Sequence, residues 1–216
     1  KDRADSVEKI AALLYEMVCA RAGNYLAFFP SYSYLEQVRE VFCTAHPEVE
    51  TLRQDTAMDE ASRADFLAQF TAAPGRTLLG FAVLGGVFGE GVDLAGERLI
   101  GAAIVSPGLP QVGPRQEQLR AHFEETRGSG FDYAYRYPGM NKVLQAAGRV
   151  IRTPEDRGVV LLIDDRFLAP DTRRLMPPHW EQLRVVESAE TLAGELERFW
   201  GRAASPEGEA VSSPAR

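Results

Sequence analysis

Four continuous apolar segments constrain the fold of this chain more than any other feature of its sequence. They are Asn24–Phe29, Thr77–Leu84, Leu99–Val105 and Val159–Ile163. A strand with one face in water alternates apolar and polar residues, whereas a strand covered on both faces is an unbroken apolar run. Helical patterns lie between these segments, and strands that alternate with helices form a mostly parallel sheet through right-handed crossovers. The sequence therefore predicts an α/β fold with helices flanking a central sheet.

Amphipathic patterns and capping residues predict the remaining elements. Helices are expected over Ser6–Ala22, from a Ser31 or Ser33 cap to Ala45, and over Asp59–Phe70, 114–127, 138–150 and Ser188–Trp200. Two further short strands are expected at Val49–Arg53 and Leu183–Val186. Residues 203–216 are rich in Ser, Pro, Gly, Ala and Glu and are expected to form a disordered tail. Residues 1–202 are expected to form a single domain.

The composition and the two cysteines indicate the class of protein and the compartment in which it is found. The 216 residues are 45% hydrophobic and 25% charged, which is ordinary for a globular domain with one substantial core. No apolar run reaches the roughly 18 residues that a membrane span requires, so no membrane partner is expected. Cys19 and Cys43 lie in apolar helical patterns and are expected to be buried free thiols. Free thiols favour a reducing compartment, and a cytoplasmic location is therefore expected.

Charge is distributed unevenly along the chain. The net charge is −7, which argues against a protein that coats nucleic acid indiscriminately. Residues 127–157 nevertheless hold six basic and three acidic side chains, so this segment alone is positive. A local cationic surface on an acidic body suits a defined anionic ligand.

The segment Gln145–Arg152 lies within this positive stretch and sets two arginines three residues apart. If the predicted helix continues through them, Arg149 and Arg152 share one face and can reach the same anion. Guanidinium groups carry a fixed charge and a planar set of donors that match phosphate oxygens. Gly148 would allow a phosphate or another backbone to approach closely. The alternative interpretation is a solvated helix face, which is the commoner origin of such a pair.

Ligands of open parallel sheets bind at the carboxyl ends of the strands. Three segments follow predicted strands: Pro30–Tyr32, Gly85–Asp93 and Ser106–Gln111. Gly85–Asp93 has four glycines, whose amides can converge on an anion, and two acids that can orient arginines or a ribose hydroxyl. It is not a nucleoside-triphosphate phosphate loop, because no Gly-Lys-Ser/Thr follows the glycines.

Taken together in this order, the motifs resemble the second motor domain of superfamily 2 helicases of the XPD/DinG type. The resemblance covers roughly residues 7 to 200. The residues that carry it are Phe28-Phe29-Pro30-Ser31-Tyr32, Gly85-Gly86-Val-Phe88-Gly-Glu90-Gly91-Val-Asp93, Gly108-Leu109-Pro110, Gln145-Ala-Ala-Gly148-Arg149-Val-Ile-Arg152 and Asp156-Arg-Gly158-Val-Val-Leu-Leu-Ile-Asp164-Asp165-Arg166-Phe167.

The resemblance implies a three-layer RecA-like α/β domain and assigns roles to particular residues. Arg149 and Arg152 would be arginine fingers at the γ-phosphate of ATP, and Gln145 would position them. The residues implied to bind ATP or to couple it to DNA are Gly89, Glu90, Gly91, Asp93 and Gly148. The residues implied to contact single-stranded DNA are Ser31, Tyr32, Gly85 and Gly86.

Other parts of a complete helicase motor are missing from these 216 residues. The chain has no Gly-Lys-Thr/Ser phosphate loop and no Asp-Glu-Ala-His magnesium motif. ATP and Mg²⁺ would therefore be held mainly by a first motor domain of the same polypeptide, and the isolated chain is expected not to hydrolyse ATP. Many relatives ligate an iron–sulfur cluster with four cysteines, which two cysteines cannot supply. The resemblance leaves open whether the parent protein carries such a cluster elsewhere.

Two other functions remain as alternatives. One is a non-catalytic RecA-like adaptor for protein docking or weak nucleic-acid binding. The other is a metal-dependent hydrolase that uses Glu90, Asp93, Asp164 and Asp165, although His46, His122 and His179 are not spaced as metal ligands. Asp164, Asp165 and Arg166 are more simply explained as a turn cap with paired charges. The alternating Tyr133, Tyr135 and Tyr137 are equally consistent with base stacking and with packing.

Overall fold

The fold is described from a computed structural model of the chain. The model describes residues 3–72, 75–86, 94, 96–153, 156–180 and 182–201. The predicted tail, 203–216, lies outside the described residues.

A five-stranded parallel sheet forms the centre of the domain. Its strands are β1 (Asn24–Phe29), β2 (Glu50–Arg53), β3 (Leu78–Val83), β4 (Gly101–Val105) and β5 (Val159–Ile163), in the spatial order β2-β3-β1-β4-β5. All four adjacent pairs are parallel. Strand β1 is central and fully buried, as its unbroken apolar sequence predicts.

Within the part of the chain that the structure describes, seven helices connect and cover the strands. They are α1 (Arg3–Cys19), α2 (Tyr32–Ala45), α3 (Glu60–Ala68), α4 (Pro114–Arg127), α5 (Tyr137–Ala147), α6 (Pro170–Arg173) and α7 (Ala189–Gly201). Ser31 caps α2 and Asp59 caps α3, each through a side-chain oxygen that accepts a backbone N–H of the first turn. A π-helical turn, Asp132–Arg136, leads directly into α5.

Two apolar clusters lie on opposite faces of the sheet and create three layers. On one face, α1, α2 and α7 pack on alternate strand residues such as Phe29 and Phe81. On the other face, Phe66 at α3 and Met140 of α5 pack with strand residues such as Phe28. Each strand thus contributes successive side chains to different clusters, because side chains alternate across a strand. The predicted three-layer α/β architecture is confirmed.

One predicted helix ends earlier than expected, and one predicted strand does not form. The predicted helix 138–150 ends at Ala147, since Gly148 closes it and Val150 turns inward with 2% of its surface exposed. Arg149 and Arg152 therefore do not share a helical face. The predicted strand Leu183–Val186 does not form either. Leu183 N–H donates to Trp180 O at 3.0 Å and Arg184 pairs with Glu195 of α7 at 3.2 Å, so this segment lies across an apolar groove from β5.

The cysteines are free, as expected, but neither is fully buried. Cys19 is exposed because it ends α1, and Cys43 is half-buried. In the described part of the chain, none of the helices has the length and apolar character to cross a membrane.

Candidate nucleotide and nucleic-acid sites

The residues that follow β1 and β3 lie at the carboxyl edge of the sheet. Leu84 N–H donates to Phe29 O at 2.8 Å, which ties the exits of these two strands together. Ser31 Oγ accepts Tyr34 N–H at 3.3 Å and so caps α2. Tyr32 follows it and is half-buried at the same edge. The structure thus brings the segment Ser31–Tyr32 and the turn after β3 close together.

The side chain of Gln54, at the end of β2, connects these two loops. Gln54 is only 2% exposed. Its Oε1 accepts Val83 N–H at 2.8 Å, and its Nε2 donates to Tyr32 Oη at 2.8 Å. Sequence reasoning missed this residue. The available signal was an uncharged polar residue directly after a predicted strand, at the edge where parallel sheets bind ligands.

The turn after β3 requires its glycines for different reasons. Gly85 has φ +73°, a conformation that glycine adopts without strain, and the aliphatic part of the Lys142 side chain lies against its Cα. Gly86 has Val83 O and the Gln54 amide beside it, so a side chain there would meet both. Its N–H donates to Val83 O at 3.1 Å. Gly89, Glu90, Gly91 and Asp93 lie outside the described residues.

The segment Gln145–Arg152 lies at the opposite edge of the sheet. Val150 packs against Gly158, which precedes β5, and Val159 N–H donates to Ile100 O just before β4 begins. Gln145 and Gly148 are exposed, Arg149 is half-buried and Arg152 is exposed. Among the described residues, only carbonyls of its own helix lie near the Cα of Gly148, so its outer side is open to a ligand with respect to them.

Asp156 fixes the backbone of the loop that carries Arg152. Its Oδ2 accepts the N–H groups of Arg152 at 2.8 Å and Thr153 at 2.9 Å. These two backbone hydrogen bonds lower the pKa of the Asp156 carboxyl group, because they stabilise its ionised form. Arg152 is thus held by a carboxylate on its main chain rather than by a helix. Sequence reasoning missed this role, although an Asp side chain can accept backbone N–H groups three and four residues before it.

Helix α5 connects the two edges. Its first turn lies at the carboxyl edge, where the Cα of Gly139 faces Pro107 O and Leu109. Lys142, one turn further, reaches Gly85. The helix ends beside the start of β5. The structure therefore brings together Ser31, Tyr32, Gly85 and Gly86, and separately brings together Gln145, Gly148, Arg149 and Arg152, with α5 between the two groups.

A capped turn with paired charges follows β5 and consists of Asp164, Asp165 and Arg166. This agrees with the turn-cap explanation given for these residues above. Burial raises the pKa of Asp164, but the hydrogen bonds from Arg166 outweigh it and the net shift is downward. Arg166 also donates to Ser106 Oγ at 2.9 Å. Ser106 has φ +76°, the one described non-glycine residue with a positive φ. No group of three or more His, Cys, Asp or Glu side chains suited to a metal ion occurs among the residues that the structure describes.

The three alternating tyrosines pack with their neighbours. Tyr133 stacks on Phe123 with ring centroids 4.4 Å apart, and the Arg127 guanidinium lies 5.4 Å from its centroid. Tyr137 meets the edge of Tyr133 at 5.1 Å. Tyr135 is buried and its hydroxyl group bonds Glu117 Oε1 at 2.5 Å. These contacts support packing over base stacking.

Comparison with known protein families shows which family the chain belongs to. The model of the helicase C-terminal domain family matches residues 14–183, which is most of the chain. The chain belongs to the helicase C-terminal domain family. Its homologues and the fold place it among the C-terminal domains of XPD/DinG-type superfamily 2 helicases.

Two helicases illustrate the similarity of the chain to known proteins. This helicase C-terminal domain is 30% identical over 166 residues to the ATP-dependent DNA helicase YoaA of Escherichia coli, covering 76% of the chain and 24% of that relative. It is 26% identical over 212 residues to the general transcription and DNA repair factor IIH helicase subunit XPD of Schizosaccharomyces pombe, covering 88% of the chain and 25% of that relative. The chain thus spans about a quarter of the length of these proteins.

Solved structures share the fold. The helicase C-terminal domain superposes on a structure named XPD helicase with a TM-score of 0.64 at 18% identity, covering 81% of the chain and 30% of that structure. A second, described as the apo form of XPD, has a TM-score of 0.62 at 18% identity and covers 81% of the chain and 35% of that structure. The RecA-like fold expected from the sequence is therefore confirmed.

Proposed function

We propose that this domain is the second motor domain of an ATP-dependent DNA helicase. It would supply Arg149 and Arg152 to ATP held by a first motor domain of the same polypeptide, and it would grip single-stranded DNA at its carboxyl edge. One observation carries the proposal beyond family membership. Two groups of candidate site residues lie at opposite edges of one sheet, an arrangement that would let a nucleotide site and a DNA contact act through the same domain.

The nucleotide end of the proposal rests on the surface around Gly148. Arg149 and Arg152 can present guanidinium groups to the γ-phosphate, while the open side of Gly148 admits the phosphates closely. Gln145 lies one turn before Arg149 and is proposed to position it. Mg²⁺ would be bound with ATP mainly by the first motor domain. Gly89, Glu90, Gly91 and Asp93 are proposed to couple this end to the DNA.

The DNA end of the proposal rests on the contacts after β1 and β3. Hydroxyl and main-chain donors meet phosphates without reading bases, which suits a protein that moves along any sequence. Ser31, Tyr32, Gly85 and Gly86 are proposed to form this contact. Because Gly86 N–H already donates to Val83 O, we propose that Gly86 contributes by allowing close approach rather than by donating.

We also propose a cytoplasmic location, because the two free cysteines fit a reducing compartment.

Arginine substitutions in the full-length protein test the proposal. Arg149→Ala and Arg152→Ala should each lower DNA-stimulated ATP turnover by ~10³-fold or more, the effect of losing an arginine finger. Affinity for single-stranded DNA should stay near wild type, because these residues lie at the other edge. Arg115→Ala, at an exposed position on α4, is the matched control and should leave both quantities unchanged. Near-normal turnover in both finger variants would contradict the assignment.

The domain on its own provides a second test. Residues 1–202 are proposed to fold as one unit that does not hydrolyse ATP alone, since it lacks the phosphate loop and the magnesium motif. A coupled phosphate-release assay on the purified chain, with and without single-stranded DNA, should show no turnover above buffer. DNA-stimulated turnover that Arg149→Ala abolishes would show that the nucleotide site is complete within the chain.

A further inference from the structure

We propose that Gln54 is a positioning residue that directs the hydroxyl proton of Tyr32 toward a phosphate of single-stranded DNA. This inference rests on the proposed DNA contact of Tyr32. It adds a residue from β2 that the sequence motifs do not include, and it specifies the direction of the hydrogen bond. The ligand it implies is a phosphodiester oxygen, recognised without regard to base identity.

The orientation of the Gln54 amide follows from its partners. Val83 offers a backbone N–H, which can only donate, so the Gln54 atom that faces it at 2.8 Å must be the carbonyl oxygen Oε1. The NH₂ group is then the end that faces Tyr32 Oη at 2.8 Å. Gln54 N–H donates to Phe81 O at 2.8 Å, so its backbone is fixed as well. Gln54 thus donates to the tyrosine oxygen and cannot accept from it.

This direction determines what the Tyr32 hydroxyl group can do. Since its oxygen accepts from Gln54, its own proton remains to be donated elsewhere. The described contact on that side is Asp55 O at 3.4 Å, which is long for an O–H···O hydrogen bond, where about 2.7–2.8 Å is usual. An anionic phosphate oxygen is a stronger acceptor than a distant carbonyl. A bound phosphate would therefore displace this weak contact at little cost.

The same amide also fixes the neighbouring turn. The Gln54 amide nitrogen lies 3.2 Å from the position that a Cβ on Gly86 would take. Gln54 therefore touches the loops after β1 and β3 at once, and its 2% exposure leaves it little freedom to move. Together with the hydrogen bond from Leu84 N–H to Phe29 O, this buried side chain holds the two proposed DNA-contacting segments as one surface.

A double-mutant cycle on the purified chain tests the inference. The measurement is fluorescence anisotropy with a labelled oligothymidylate of about 15 nucleotides at low salt. Tyr32→Phe removes the proton, and Gln54→Met removes the group that directs it while keeping similar volume. Each should weaken binding by about tenfold, as the loss of a hydrogen bond to a charged group does. The double variant should weaken it by the same tenfold, because both substitutions remove one interaction.

A second variant separates direction from packing. Gln54→Glu keeps an acceptor for Val83 N–H, but its carboxylate attracts the Tyr32 proton inward, so binding should also fall. Because a carboxylate repels DNA by itself, Gln54→Glu is compared in the Tyr32→Phe background, where only the repulsion remains. The effect should be smaller there. Gln37→Met, at an exposed glutamine on α2, is the control and should bind like wild type.

Amide hydrogen exchange distinguishes the possible failures. Val83 N–H should exchange faster in Gln54→Met and at the wild-type rate in Tyr32→Phe. If wild type binds and Gln54→Met binds equally well, or if the two substitutions multiply to about a hundredfold, the positioning role is wrong while the DNA contact stands. If wild type does not bind the oligonucleotide, the proposed DNA contact fails and the phosphate role of Tyr32 fails with it.

Discussion

Asp156 accepts the backbone N–H of Arg152 at 2.8 Å, so a carboxylate sets the main-chain course of a proposed arginine finger. The same oxygen accepts Thr153 N–H at 2.9 Å. A helix would have placed Arg152 one turn from Arg149. The observed arrangement instead ends the helix at Ala147 and relies on one side chain for the shape of the following loop. That dependence makes the loop sensitive to the charge on Asp156.

Asp156→Asn should reduce stability at neutral pH and have little effect in acid. The folded-state pKa of Asp156 lies below its unfolded value, so its contribution is present above about pH 4 and is lost as pH falls through the folded pKa. Urea denaturation of wild type and variant should therefore give curves that differ at pH 7, and the difference should shrink progressively as the pH falls below about 4. Asp65→Asn, at an exposed position on α3, is the control. A difference that does not shrink at all as the pH falls below about 4 would show that the ionised carboxylate is not responsible.

Gln54→Met should destabilise the domain by about 1–3 kcal/mol, because Val83 N–H remains buried without its acceptor. The midpoint of urea denaturation measures this change, and the slope should stay the same because the fold does not change. The exposed variant Gln37→Met should lie within about 0.5 kcal/mol of wild type. A Gln54→Met variant as stable as wild type would mean that Val83 finds another acceptor.

Ser106→Gly should be more stable than Ser106→Ala by about 1–2 kcal/mol. Both substitutions remove the hydroxyl oxygen that accepts from Arg166, but only glycine adopts φ +76° without steric cost. Comparing the two variants with each other cancels the lost hydrogen bond and leaves the backbone term. Equal unfolding midpoints would indicate that the turn relaxes to a negative φ when the hydroxyl group is absent.

Gly85→Ala and Gly96→Ala should cost similar amounts, about 1–2 kcal/mol each. Both glycines have positive φ values, +73° and +62°, so both variants introduce the same kind of strain. They differ in space, since a Cβ at Gly85 meets the Lys142 chain, whereas a Cβ at Gly96 meets none of the described residues within 4 Å. A lysine chain can move aside. Any excess cost at Gly85, measured by thermal unfolding, should disappear in a Lys142→Ala background.

The sheet and its caps could be predicted from the sequence because local signals decide them. Strand Val159–Ile163 and the Ser31 cap agree with prediction at the residue level, since an apolar run and a serine before a helical pattern each have a local cause. Asp164 capping the turn after β5 is of the same kind.

Features set by tertiary contacts could not be predicted in the same way. Gln54 meets Tyr32 and Val83, which are 22 and 29 residues away, and no local pattern encodes such a bridge. The predicted helix past Ala147 failed because Val150 gains more from burial beside Gly158 than from a further helical turn. Leu183–Val186 has the composition of a strand, but Arg184 pairs with α7 instead of letting the segment approach β5. Propensity yields to tertiary packing in each case.

Helix α5 has a mechanical consequence if the domain binds nucleotide at one edge of its sheet and DNA at the other, as proposed. Its 11 residues measure about 16 Å at 1.5 Å per residue, which is close to the full height of the strands. Lys142, at the middle of the helix, lies against Gly85, and the C-terminal end of the helix continues into Arg149. A hydrogen-bonded helix of three turns does not shorten under load. If α5 moves along its axis as one body, the arginines and the Gly85 turn are displaced by the same distance and in the same direction. The distance that α5 moves would then set the step size of such a motor.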